Sequence, residues 1–180
     1  LRHRADPFQQ RLLRLRWKID IDTALRQRNV STRDISNFGD RTASTANTNI
    51  VRHAGRIFAL EEAHFPYEID GELRTKGCVD FDGRLKTALT AHPKICPETG
   101  EMLAFGYSFM PPFLTYHRFD KEGRLVQSEE IPVGGPTMIH DFAATRTRVV
   151  FMDLPIVFDM ASAMAGGMPA GPTSPIQLAT

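Results

Sequence analysis

Residues Leu103–Gln127 read LAFGYSFMPPFLTYHRFDKEGRLVQ, and their grammar decides the fold. Two short runs, Leu103–Tyr107 and Phe113–Phe119, are rich in aromatic and apolar residues. Between them stand Met110-Pro111-Pro112, where proline has no N–H to continue a ladder. After the second run come Asp120-Lys121-Glu122-Gly123 and a third run, Leu125–Val133. Two or three turn formers followed by a glycine that can take positive φ predict a hairpin built on a type I turn with a glycine bulge. Pro97-Glu98-Thr99-Gly100 repeats that grammar just upstream.

Further out the pattern persists. Ile57–Leu60 and Arg148–Leu154 are short apolar runs, and Asp70-Gly71 and Asp82-Gly83 are turn signals between runs. No helical period of any length appears between residues 50 and 160. Many short strands at regular turn spacing predict an all-β sandwich, barrel or propeller.

The flanks differ in character. Residues 1–48 hold ten Lys and Arg against five Asp, a balance of +5, whereas the whole chain of 180 residues is +1. Within this basic flank Gln9–Leu25 fits the alternating template of a strand, and the Ser/Thr/Asn-rich Asn29–Asn49 reads as loop. A basic segment can bind nucleic acid, but the sparse aromatics and missing motif favour an atypical flank, so no nucleic-acid partner is expected. Residues 161–180 (ASAMAGGMPAGPTSPIQLAT) read as a flexible Ala/Gly/Pro-rich tail. The expected organisation is a flank at 1–48, a β-domain at 49–160 and a tail at 161–180.

Cys78 and Cys96 form no CxxC pattern and no disulfide framework, so a reducing cytoplasmic location is the expectation. No stretch reaches the roughly 18 apolar residues of a membrane span. The N-terminus lacks the apolar core of a secretory signal. The chain opens on Leu1 rather than Met, as expected of a piece of something longer.

Six histidines are present, at positions 3, 53, 64, 92, 117 and 140, and none forms a compact motif such as HExxH. Setting distinguishes two. Pro93 pushes His92 into extended backbone at a strand mouth. His140 stands in Thr-Met-Ile-His-Asp-Phe, ahead of the Arg148–Leu154 run. Two imidazoles on adjacent strand ends can converge on one ion, and neutral imidazole suits Fe, Zn, Cu or Ni. Each would serve equally as a hydrogen-bonded structural histidine. His117, in mid-strand, is expected on a solvent-facing or cross-strand position, and His53 and His64 have polar surroundings without a partner motif. Cys96 lies four residues after His92, but Pro93 prevents the helical face that would align them. Glu61 and Glu62 follow the Ile57–Leu60 run and read either as surface charge or as acceptors for the N–H of a metal-bound imidazole. No GxSxG elbow, P-loop or GxGxxG occurs, and Gly134-Gly135 has no following helix.

Taken together and in order, Thr45-Ala-Asn-Thr-Asn-Ile-Val, Gly55-Arg-Ile-Phe-Ala-Leu-Glu-Glu, Thr90-Ala-His-Pro-Lys, Phe105-Gly-Tyr and Met138-Ile-His-Asp-Phe-Ala resemble the carotenoid cleavage oxygenase family, which includes lignostilbene and apocarotenoid oxygenases. The resemblance covers about residues 45–160. It implies a partial segment, two to three blades, of a seven-bladed β-propeller with Fe(2+) on its axis, held by four histidines and buttressed by glutamates. His92 resembles the first ligand, His140 the second and Glu62 the first buttressing glutamate. No residue here matches the third and fourth histidines, so a truncated chain is expected. The implied reaction cleaves a C=C bond of a carotenoid, apocarotenoid or stilbene-like molecule with O2, giving two carbonyl products. The implied partners are a hydrophobic polyene or stilbene-like molecule, O2 and, in the full-length protein, a peripheral membrane contact. The alternative is a non-catalytic propeller fragment with an incomplete metal site. Glu61 occupies the position where the stilbene-cleaving members resembled here carry a lysine that engages a phenol, which counts against a phenolic stilbene.

Overall fold

Strand β6 (Met102–Tyr107) organises the molecule, because its alternating side chains face two different cores. In this computed structural model, residues 41–42, 44 and 46–153 are described in full, with the backbones of strands at 156–158 and 176–178. The Gln9–Leu25 strand expectation and nearly all of the basic flank lie outside the described residues.

All described regular structure is β. The first sheet is an antiparallel meander of β1 (Asn49–His53), β2 (Arg56–Leu60), β3 (Tyr67–Ile69) and β4 (Thr75–Cys78). The second runs β5 (Lys94–Ile95), β6, β7 (Leu114–Phe119) and β8 (Leu125–Glu130) in the same way. Two strand pairs follow: β9 (Ala143–Ala144) with β10 (Val149–Val150), and β11 (Ile156–Phe158) with β12 (Ile176–Leu178). The Arg148–Leu154 run is strand only at Val149–Val150, since it pairs with a two-residue partner and then leaves the ladder. Strand β12 lies within the segment expected to be a flexible tail.

The predicted glycine-bulge turns form. Gly100 and Gly123 take φ of 74° and 83° at the β5–β6 and β7–β8 hairpins. At the second, Asp120 Oδ1 accepts the N–H groups of Glu122 and Arg124, and Arg124 Nε donates to Asp120 Oδ2. The β3–β4 connection repeats this with Asp70, Glu72 and Arg74. There the positive φ, 66°, falls on Leu73 rather than on the neighbouring glycine.

On one face of β6, Met102 and Ala104 join Phe58, Leu60, Phe81, Leu85, Leu89, Phe119 and others in a core that spans both sheets and the connector between them. Phe81 links the sheets, with ring centroids 5.8 Å from Phe58 and 4.5 Å from Phe119. On the other face, Phe105 and Tyr107 pack with Leu114, Ile139 and Phe142. That second core holds the segment after β8 against the sheet through Phe105, Phe142 and Phe151, whose centroids are 5.2–5.5 Å apart.

The connector from Asp80 to Pro93 is irregular, yet Thr87 to Ala91 is fully buried. Its polar groups are met by β1, β6, β7 and the loop after β2, as a buried loop requires. Thr90 N donates to Phe105 O (2.6 Å), Leu89 N to His64 O (3.1 Å), and Asn49 Nδ2 to Ala91 O (2.7 Å). This approach needs Gly106: a Cβ there would stand 2.1 Å from the Ala88 carbonyl oxygen. His117 is the cross-strand residue the sequence allowed, but it is buried (1% exposed), not solvent-facing. Its side chain lies on the face shared with Gly106 and bonds Thr87 Oγ1 (2.7 Å) and Ser128 Oγ (2.9 Å).

Two outcomes follow for stability. Gly106→Ala should cost about 2–3 kcal/mol, from overpacking against backbone that cannot yield, read as a lowered urea midpoint at unchanged m. Burial holds the His117 imidazole down at about 4, against an ordinary value near 6.5. The unfolded chain therefore takes up a proton that the folded chain refuses. Stability is full above pH ~6.5 and falls by up to about 3 kcal/mol as pH drops to ~4. Chemical denaturation across that range should show the slope in the wild type and lose it in His117→Leu.

Candidate metal centre

The ends of the strands described above meet at one place. Glu62 lies two residues past β2, Tyr107 closes β6, His92 precedes β5 by two residues, and His140 precedes β9 by three. β5 runs antiparallel to β6 and pairs with its first two residues, so the segment before β5 runs back along β6 toward the Tyr107 end, Thr90 N–H bonding the Phe105 carbonyl on the way.

His92 is set from three sides. Its N–H donates to Thr90 Oγ1 (3.0 Å), the preceding carbonyl of Ala91 accepts from Asn49, and Pro93 keeps the backbone extended. His140 follows Ile139, which is buried in the second core. The two imidazoles meet edge to face, with centroids 4.4 Å apart and planes at 60°. Lys94 and Asp141, one on each ligand-bearing segment, are joined at 2.6 Å, and Lys94 Nζ also sits 5.5 Å from the Phe142 ring centroid. Burial opposes ionisation of Asp141, but Lys94 and the Phe142 N–H prevail and hold its carboxyl below the usual range.

Glu62 lies against both rings. Its Oε1 contacts His140 Nδ1 and is 3.8 Å from His92 Nε2, while its Oε2 accepts a hydrogen bond from the Tyr107 hydroxyl (3.2 Å). Glu62, His92 and His140 each offer a donor atom within 4.8 Å of the others. Side-chain exposures are 16%, 28% and 68%, so the cluster is walled on the Glu62 side and open at His140. His92 Nε2 is buried without a hydrogen-bond partner, and the buried Glu62 Oε1 meets His140 Nδ1 in a close ion-pair contact rather than an aligned hydrogen bond. Buried polar atoms of this kind are uncommon, and an ion is one of the things that satisfies them. Two imidazoles and a carboxylate are a donor set that suits a first-row transition metal.

All three residues singled out from the sequence, His92, His140 and Glu62, are thus brought together. Glu61 points into a separate pair. Burial opposes its ionisation, but His64 Nδ1 and the N–H groups of Ala63 and Glu62 outweigh it and hold the carboxyl below the usual range. His64 therefore has a partner that its polar setting did not reveal. His53 is buried and bonds the Gly100 carbonyl through Nε2 (2.9 Å). Lys94, Asp141 and Tyr107 were not singled out. The first two stand beside the histidines in Thr-Ala-His-Pro-Lys and Ile-His-Asp-Phe, whereas Tyr107 looks in sequence like any strand aromatic.

The retinal pigment epithelial membrane protein (RPE65) family model matches residues 8–178. The chain is 50% identical over 118 residues to carotenoid 9,10(9',10')-cleavage dioxygenase 1 of Arabidopsis thaliana, covering 63% of this chain and 22% of that protein. It is 42% identical over 135 residues to the chloroplastic 9-cis-epoxycarotenoid dioxygenase NCED1 of Oryza sativa subsp. japonica, covering 70% and 21%. The chain thus spans about a fifth of the length of these curated relatives. Among solved structures, the lignostilbene dioxygenase of Pseudomonas brassicacearum superposes with a TM-score of 0.71 at 32% identity, covering 89% of this chain and 35% of that one. A Synechocystis apocarotenoid oxygenase variant gives 0.60 at 27% identity, over 75% and 30%. The two four-stranded meanders are blades, and the fold is a partial segment of a seven-bladed β-propeller.

The Lys94–Asp141 pair is half-exposed, so its own contribution is small. A double-mutant cycle with Lys94→Met and Asp141→Asn should give a coupling of no more than about 1 kcal/mol, shrinking at high salt.

Proposed function

The chain belongs to the RPE65 family, and from that premise we propose that it supplies part of a non-haem iron(II) centre in an oxygenase that cleaves a C=C bond of a carotenoid or apocarotenoid with O2 to give two carbonyl products. The observation that carries this reading is the buried, unpartnered Nε2 of His92 beside a His140 whose Nδ1 is already engaged by Glu62. An imidazole held at Nδ1 by a carboxylate keeps its proton there and presents Nε2 as the lone-pair donor. His92 and His140 would hold the metal as neutral ligands. Bound iron supplies the redox chemistry with dioxygen that an alkene cleavage needs.

The protein's own part is orientation. Glu62 fixes one imidazole, and the Thr87–Ala91 connector, locked on β6, fixes the other. Phe105 and Phe142, packed in the second core, place apolar groups behind the His140 segment. A carotenoid is favoured over a phenolic stilbene on two grounds. The curated relatives it matches at 50% and 42% identity are carotenoid and epoxycarotenoid dioxygenases. Glu61, already paired with His64, offers no cation to a phenol.

Anaerobic titration of the 180-residue chain with Fe(II), or with Co(II) as an optical reporter, tests the centre. One equivalent should bind, more weakly as the solution is acidified, because imidazole binds metal in its neutral form. His92→Ala and His140→Ala should each abolish binding. A flat titration, or binding that survives both substitutions, would sink the reading and leave a propeller segment without a metal role.

A further inference from the structure

Resting on that metal-centre reading, the geometry points to Tyr107 as a positioning residue that holds Glu62 against His140 Nδ1 and keeps it from turning toward the metal. A glutamate placed against two imidazoles has two options. It can accept an N–H from a ligand, or it can rotate and become a ligand itself. Both oxygens offer lone pairs, and a carboxylate suits the same first-row ions as imidazole. Something must decide between the two.

Here the decision lies with the oxygen facing away from the rings. Tyr107 is the last residue of β6, and its ring is packed in the second core with Phe105, Leu114 and Ile139. Only 8% of the residue is exposed. Its hydroxyl donates to Glu62 Oε2 at 3.2 Å. The alternation along β6 that buries Phe105 therefore also aims a phenol at Glu62. With Oε2 held, Oε1 is left against His140 Nδ1, and the carboxylate plane is fixed at both ends. Rotation of Glu62 would break the bond to a buried phenol, and an unmet buried donor is costly. Burial first, and then the charge of Glu62, push the Tyr107 phenol up, so it remains a donor throughout the physiological range.

The chain accordingly has a three-residue line, Tyr107 to Glu62 to His140, in which the tyrosine acts on the metal only through the other two. Removing the hydroxyl should leave the two blades intact and alter the ring of His140. The test is Tyr107→Phe in the 180-residue chain, read without metal by the imidazole 15N shifts of His140 at about pH 8, where an ordinary imidazole is neutral. The wild type should carry its proton on Nδ1, and Tyr107→Phe should show a mixture of tautomers. The Co(II) complex should then show a changed d–d spectrum as Glu62 enters the coordination shell. Should the phenylalanine variant fail to fold, Glu62→Gln keeps the volume, leaves β6 untouched and should produce the same tautomer change. A His140 ring that is the same in the wild type and the variant overturns the inference, whatever the metal affinity. A tautomer change in a chain that binds no Co(II) leaves Tyr107 in its role and removes the metal reading instead.

Discussion

The approach of an irregular connector to the backbone of β6 is the contact on which the rest of the structure depends. Loops normally run over a surface, because their polar groups need water. This one runs inside, and it can do so because Gly106 leaves room for the Ala88 carbonyl and β6 supplies the Phe105 carbonyl to Thr90. His117 adds a second anchor from β7 through Thr87. From there two residues of chain and a proline deliver His92 to the edge where Glu62 and His140 wait. A side chain on a loop is placed here with the fixity of one on a strand, because its loop is packed like a strand.

Much of this was legible in the sequence, for specific reasons. Strands β2, β6, β7 and β8 announce themselves by short apolar or alternating runs between turn signals, and the hairpins at Gly100 and Gly123 by turn formers ending in a glycine that takes positive φ. The site histidines were legible from their setting, Pro93 after His92 and an apolar run ahead of His140, and from the family resemblance, rather than from their spacing. The β3–β4 turn shows the limit. Asp70-Gly71-Glu72-Leu73-Arg74 makes the same side-chain contacts as Asp120-Lys121-Glu122-Gly123-Arg124, but the left-handed residue is a leucine. The Asp and Arg contacts impose the turn, and the glycine in it is not where the conformation demands one. Asp and Arg four residues apart were the better signal, and they do not look like one in a single sequence.

Tertiary contacts account for what stayed illegible. His117 has the alternation of a surface strand residue, and only the connector arriving from Thr87 turns that face into an interior. Strands β5, β9 and β10 are two residues long, too short for a periodicity to exist. Tyr107 differs in no local way from Tyr116, which shares its face of the sheet, yet it is Tyr107, at the strand end, that reaches a carboxylate in the site.

The strand-end origin of the site has a consequence for the order in which it is built. Each blade is a meander of neighbouring segments, and such local pairings close short loops and form fast. Glu62, His92 and His140, by contrast, are contributed by three separate parts of the chain, and the bond from Asn49 to Ala91 reaches across 42 residues. A chain emerging from the ribosome can complete its first blade before His92 exists and its second before His140 exists. The pieces of the candidate centre therefore meet only after both blades and the segment that follows them have formed.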